Sequence, residues 1–187
     1  LTILITTLCI FFNACHNSNT APQLQLADSL IDKRADRALC ILEKLSIEEI
    51  SNKSAKAMYA LLLTEALDKN FKSHRNDSLI LIAVDYYKDN SNNKLKTKAY
   101  YYLGRVYQDN KEYIKATEAY LTALKTASPN QAPILQIYNN LALCYESQEF
   151  YLPAIKTYKE SYATAEKMQD KYGILHATRG LGLSLIH

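Results

Sequence analysis

Glycine, proline and tryptophan are scarce in this sequence, whose 187 residues include 4 Gly, 4 Pro and no Trp. Hairpin turns and nucleotide-binding loops depend on Gly and Pro, so the shortage argues against a many-stranded β fold and a nucleotide-binding fold. The net charge is only +3, from 22 basic and 19 acidic side chains. A charge this small and evenly spread does not indicate a nucleic-acid-binding surface, and we expect no nucleic acid as a partner of this region.

Motifs for catalysis and metal binding are also missing from the sequence. It contains no HExxH, nucleophile elbow, Walker loop or GxGxxG, and its 4 histidines lack the spacing of metal ligands. Cys40 and Cys144 lie in apolar helical patterns, where we interpret them as buried free thiols that are too far apart to form a disulfide. The sequence therefore predicts no enzyme, no cofactor and no metal site.

An uncharged segment, Leu1 to Phe12, opens the sequence, and nine of its twelve residues are apolar. As a helix it would reach about 18 Å, well short of a membrane core of ~30 Å, so it predicts a secretory signal and not a membrane span. Ala14 directly precedes Cys15. This arrangement resembles the lipobox of bacterial lipoproteins.

The lipobox resemblance implies that residues 1–14 are removed, that Cys15 is lipidated, and that the protein is anchored in a bacterial cell envelope on an extracytoplasmic face. Residues 15–23 would then form a polar tether. Two alternatives remain open for the segment: an ordinary cleaved signal and a buried apolar N-terminal segment.

Two stretches of the sequence superimpose when it is shifted by 38 residues. The matching pairs are Tyr100 with Tyr138, Leu103 with Leu141, Tyr107 with Tyr145, Ala116 with Ala154, and Tyr120 with Tyr158. The spacing places the first three of each set on one helical face, and a second amphipathic helix follows a short polar turn. Of 15 tyrosines, 14 lie at or after Tyr86, a skew that packing between such helices explains.

This pattern resembles the tetratricopeptide repeat (TPR), with residues 97–130 and 135–168 as two repeats and 175–187 as the first helix of a further, truncated one. Residues 24–96 contain two degenerate helical hairpins. The resemblance implies an all-α fold, a right-handed α-solenoid of antiparallel helix pairs. The segments before the strong repeats are also similar to TPR lipoproteins of Bacteroidetes.

The resemblance further implies a concave groove, lined by the first helix of each pair, that binds a protein or peptide. The groove candidates are Lys98, Tyr101, Arg105, Gln108, Asp109, Gln136, Asn139, Asn140, Leu143, Glu146, Ser147, His176 and Arg179. Some family members bind a C-terminal carboxylate with Lys, Arg and Asn. Asn140 occupies one of those places, but Tyr101, Arg105 and Gly180 replace other members of the set, so we do not predict chaperone-tail binding.

These features favour a non-enzymatic, membrane-tethered scaffold that binds proteins or peptides. One alternative is the extracytoplasmic sensor region of a longer membrane-bound signalling or transcription-regulatory protein. A third is the non-catalytic part of a longer enzyme.

Overall fold

The computed structural model describes residues 20–74, 76–128 and 133–186, so the predicted signal segment and Cys15 lie outside the described residues. Over these ranges the secondary structure is helical, with no strand. A short 3₁₀ helix, Ile47–Glu49, lies between α2 and α3. The α-helices are α1 Thr20–Leu30, α2 Ala35–Leu42, α3 Lys53–Lys69, α4 Ser78–Tyr87, α5 Asn93–Asp109, α6 Tyr113–Thr126, α7 Ile134–Ser147, α8 Tyr151–Met168 and α9 Lys171–Ser184.

The helices form two layers. Each helix packs on the next one in the chain, and the odd-numbered helices also contact one another in the order α1, α3, α5, α7, α9. Within the described ranges, the even-numbered helices make no comparable contacts with one another. The odd-numbered first helices therefore form the closely spaced inner layer, which is the layer that lines the groove of a helical solenoid.

Helix α3 connects the two main hydrophobic clusters of the chain. Leu62 packs into an upstream cluster with residues of α1 and α2, whereas Leu61 packs into a central cluster with residues of α4, α5 and α6. Both leucines are 1% exposed. Because α3 buries side chains on both faces, the upstream hairpins and the later repeats form one continuous stack.

Three first helices end in the same way. Phe71 after α3, Lys111 after α5 and Glu149 after α7 adopt positive φ angles of 55°, 61° and 62°. In each case the next residue's N–H bonds to a carbonyl five residues back, for example Glu112 N to Tyr107 O at 2.8 Å. This left-handed residue with its six-to-one hydrogen bond is the Schellman helix stop. The degenerate α3–α4 hairpin thus turns through the same backbone geometry as the strong repeats.

Two glycines allow close helix approach. A Cβ on Gly104 would lie 2.4 Å from the Tyr120 ring, and a Cβ on Gly180 would lie 2.3 Å from the Tyr158 ring. A Cβ on Gly182, by contrast, would meet no neighbouring group within 4 Å. Gly180 is therefore a close-packing position and Gly182 is not.

Three other expectations differ from the structure. The segment from Thr20 to residue 23, assigned to the tether, is the first turn of α1, and α9 begins at Lys171 and not near residue 175. Cys40 is exposed, whereas Cys144 is buried as predicted. Burial raises the pKa of the Cys144 thiol to about 12, which keeps it protonated and unreactive.

Candidate groove for a protein partner

The inner layer contains a groove with two adjoining parts. The wide cavity, of about 750 Å³, lies between α3, α5, α7 and α9. The narrow cavity, of about 240 Å³, lies between α7, α8 and α9. The two share Asn139, Leu143 and His176 as lining residues, so they form neighbouring parts of one surface.

Most groove candidates from the sequence line these cavities. Tyr101, Arg105, Gln136 and Asn140 line the wide cavity alone, Arg179 lines the narrow cavity, and the three shared residues line both. Their register follows from the first-helix spacing, which places them along one face of α5, α7 and α9. That these residues contact a partner stays a prediction.

Three candidates line neither cavity, because the side chain of each bonds to a side chain on a neighbouring helix. They are Lys98, Gln108 and Glu146. Lys98 pairs with the buried carboxylate of Glu65 on α3. Gln108 Oε1 accepts a hydrogen bond of 2.8 Å from the Tyr120 hydroxyl. Glu146 accepts one of 3.1 Å from the Tyr158 hydroxyl. The last two contacts lie 38 residues apart and are the same bond in successive repeats.

Tyr101 lines the wide cavity but is not a free groove residue, since it is only 8% exposed. Its ring contacts Tyr102 with centroids 4.9 Å apart, and its hydroxyl accepts a 3.4 Å hydrogen bond from Asn140. Burial raises the pKa of Tyr101 to about 12. Tyr101 therefore lies at the edge of the groove, but its side chain is part of the core.

Ion pairs neutralise the upstream part of the groove. Arg105 Nε donates to Asp68 Oδ1 at 2.8 Å, and its guanidinium lies 3.7 Å from Asp109. Asp109 in turn lies 2.7 Å from Nδ1 of the buried His74. Burial alone would lower the pKa of Arg105, but Asp68 raises it overall. Lys69 pairs with Asp32 and Glu65. These cations are therefore committed to internal partners.

The sequence did not point to several lining residues. Phe71, 98% exposed, and Asp68 lie at the end of α3, whose repeat lacks the family signature. Tyr172, 79% exposed, lies in the first turn of α9, ahead of the predicted start of that helix. In the sequence, Asp170 indicates where α9 begins. It caps this helix by accepting hydrogen bonds of 3.0 Å from the N–H groups of Tyr172 and Gly173.

Two absences bear on the site. Over residues 20–74, 76–128 and 133–186, no cluster of His, Cys, Asp and Glu is suited to hold a metal ion. No helix in the same ranges is long and apolar enough to cross a membrane.

Layered helix pairs with a groove on their inner layer define an all-α helical-repeat solenoid, an architecture that serves as a protein-interaction scaffold. The family model described as "Tetratricopeptide repeat" matches residues 96–167. These residues are accordingly similar to tetratricopeptide repeats, as their spacing of small and aromatic residues predicts.

Solved structures show the same fold over most of the chain. A candidate kinesin light chain with nearly identical TPR-like repeats from Podosopora anserina has a TM-score of 0.64 at 16% identity, over 88% of this chain and 84% of that one. The MamA protein has a TM-score of 0.53 at 22% identity, over 82% and 76%. No curated protein matches the sequence significantly.

Proposed function

We propose that this chain is a non-enzymatic scaffold whose groove binds an extended segment of a partner protein. The observation that carries the proposal is the mixed lining of the wide cavity. Exposed Phe71 and Tyr172 lie on different first-helix ends, and half-buried or exposed amides, Gln136, Asn139 and Asn140, lie on α7 between them. Aromatic side chains give contact area, and side-chain amides can both donate hydrogen bonds to a peptide backbone and accept hydrogen bonds from it.

A bulky substitution in the groove tests this proposal. Gln136 is exposed and lines the wide cavity, so Gln136→Trp should fill the cavity without disturbing the core. We expect the full chain to enrich peptides from a synthetic, C-terminally amidated decapeptide library, and Gln136→Trp to lose at least about 90% of that binding.

The matched control is Lys159→Trp, on the exposed face of the outer-layer helix α8. This variant adds the same side chain outside the groove and should bind the selected peptides like the wild type. Equal binding by wild type and Gln136→Trp, or equal loss in both Trp variants, would place peptide binding somewhere other than the groove.

The proposed scaffold is tethered to a bacterial envelope membrane through a lipid on Cys15, as its lipobox-like sequence suggests. Cys15→Ala should abolish labelling of the full-length protein by a fatty-acid probe. Cys40→Ala is the matched control, because Cys40 is an exposed cysteine within the folded part and should not carry the lipid. Labelling that persists in Cys15→Ala and disappears in Cys40→Ala would contradict the tether.

A further inference from the structure

We infer that the narrow cavity of the groove binds an acidic side chain of the partner segment, with Arg179 as the group that selects it. This inference rests on the proposed function and specifies the chemistry of the ligand. The cavity is lined by Asn139, Leu143, Tyr158, His176, Arg179, Gly180 and Leu183. No carboxylate is among these lining residues.

The basic side chains in the groove differ in whether they pair with a carboxylate. Lys69 and Arg105, which line the wide cavity, each pair with two carboxylates. Arg179 is exposed and, in the part of the chain that the structure describes, has no carboxylate within ion-pair distance. The basic side chains at the upstream part of the groove are thus paired, whereas Arg179 at the downstream part is not. A guanidinium in this state has its donors available for a carboxylate, which it can bind in a bidentate manner.

The other polar groups of the cavity differ in which of their hydrogen-bonding atoms are already used. Ser161 donates a 3.0 Å hydrogen bond to Asn139 Oδ1, which leaves the Asn139 NH₂ group as a donor. The carboxylate of Glu146, beneath the cavity, accepts bonds from the hydroxyls of Tyr158 and Ser184 at 3.1 and 2.5 Å. Its acceptors are directed to those hydroxyls. Burial and this carboxylate raise the pKa of Tyr158, so that phenol stays neutral. The cavity therefore offers donors to an incoming anion.

Exposed apolar side chains beside Arg179 indicate where the carboxylate of the ligand comes from. Leu143 and Leu183, 43% and 51% exposed, lie at the cavity with Arg179. Apolar surface on both α7 and α9 favours a chain that continues past the cavity and packs its neighbouring side chains there. The ligand is therefore the side chain of an internal Asp or Glu and not a C-terminal carboxylate.

The test uses the full chain and the amidated decapeptide library. Wild type should enrich Asp or Glu at one position, and Arg179→Gln should lose that preference while still selecting peptides. Lys171→Gln is the matched control, since it removes an exposed cation from the same helix outside the cavity. When the best peptide is resynthesised with Gln at the acidic position, its affinity for wild type should fall about fivefold, and its affinity for Arg179→Gln should not change.

Each other outcome overturns a defined part of the hypothesis. The selected peptides could lose binding to Gln136→Trp, which shows that they need the free groove, and yet show no preference for Asp or Glu. That result would overturn the inference and leave the proposed function standing. An acidic preference that persists in Arg179→Gln would also overturn it. A parallel library with free C-termini that alone yields binders would contradict the internal side chain. No enrichment over Gln136→Trp in either library would overturn both proposals.

Discussion

In the upstream hairpins the large buried side chains are mainly aliphatic, including Leu42, Leu62 and Ile80, each at most 1% exposed. In the later repeats they include several tyrosines, such as Tyr120 at 0% and Tyr158 at 4%. Yet α3, α5 and α7 end in the same left-handed stop and stack in the same inner layer. The family signature is therefore one of at least two sets of side chains that produce this helix geometry.

The exchange of side chains has a simple volume basis. Aligning the stops at Phe71 and Lys111 shifts the upstream hairpin by 40 residues. Thr64 then aligns with Gly104, and α4, which begins seven residues after its stop where α6 begins two residues after, contributes Ile80 as its large fully buried side chain; both are 1% exposed. The repeat combines the smallest residue with a large ring, whereas the hairpin combines two residues of intermediate size. Interior packing constrains the total volume more tightly than the identity of each side chain.

Alkaline pH should distinguish the two regions most strongly, because buried phenols are concentrated in the later repeats. Burial raises the pKa of Tyr101 to about 12, and those of Tyr102, Tyr120 and Tyr158 are raised as well. An unfolded phenol ionises above its usual pKa near 10 and a folded one only at higher pH. The contribution of these phenols to the free energy of unfolding is therefore complete below about pH 10. It is lost as the pH rises towards the pKa values of the phenols in the folded protein.

At about pH 11 these four tyrosines together should lower the free energy of unfolding by about 5 kcal/mol. The Cys144 thiol, whose pKa is also raised to about 12, adds a loss of its own over this range, so denaturant unfolding at about pH 8 and 11 is read together with tyrosinate absorbance. Tyr101→Phe should recover about 1.4 kcal/mol of it. A loss of the same size in Tyr101→Phe and wild type would show that this phenol does not contribute.

Tyr120→Ala should be the most damaging single truncation in the repeats. It empties a fully buried site beside Gly104 and should lower the free energy of unfolding by about 3–5 kcal/mol. Leu62→Ala is the upstream counterpart, with an expected loss of about 2–5 kcal/mol. Because helix pairs interact with nearest neighbours, hydrogen exchange should increase around α5–α7 in the first variant and around α1–α3 in the second. A uniform increase in both would show that the two regions open as one unit.

Glycine-to-alanine changes test the close contact at Gly104 by adding a single methyl group. In Gly104→Ala the new methyl group meets the Tyr120 ring, and we expect a loss of about 1–3 kcal/mol. Gly182→Ala is the matched control, because its methyl group meets open space and the helix gains about 0.5–1 kcal/mol. Thermal and denaturant unfolding report both values. Equal effects at the two glycines would contradict the close contact at Gly104.

The sequence predicted the helix pairs and most of the groove, because both follow from periodicity. The spacing of Tyr, Leu and Ala sets which helical face is buried, and the opposite face of α7 then includes Gln136 and Leu143. The upstream hairpins were also predicted from apolar patterns alone, and α3 and α4 form one hairpin within the expected range of residues 24–96. Local patterns are sufficient where a residue's role depends on its own helix.

Sequence reasoning failed where a role depends on a different helix. Tyr101 was assigned to the groove, but it is buried by contacts that cross from α5 to α6 and α7. Cys40 lies among apolar neighbours in sequence and is nevertheless exposed, since no helix covers that face of α2 in the described structure. His74 lies 35 residues from Asp109, its partner on α5. No spacing within one helix indicates such pairs.

The smallest effects should come from the helix stops, where the two regions are expected to behave alike. Phe71→Gly, Lys111→Gly and Glu149→Gly each place the residue that tolerates positive φ at a left-handed position, and each should raise the free energy of unfolding by about 0.5–1 kcal/mol. A gain confined to Lys111 and Glu149 would mean that the Phe71 ring stabilises the upstream stop through other contacts.

The same three variants separate structure from binding. Phe71 lines the wide cavity, whereas Lys111 and Glu149 do not. Phe71→Gly should therefore weaken the selected peptides by about fivefold, the contribution of one exposed aromatic contact, while the two matched glycine variants bind normally. Because all three changes act on the backbone alike, a loss shared by all of them would be an effect of the turn. A loss confined to Phe71→Gly assigns it to the aromatic ring, and the degenerate hairpin would then contribute to binding as well as to the stack.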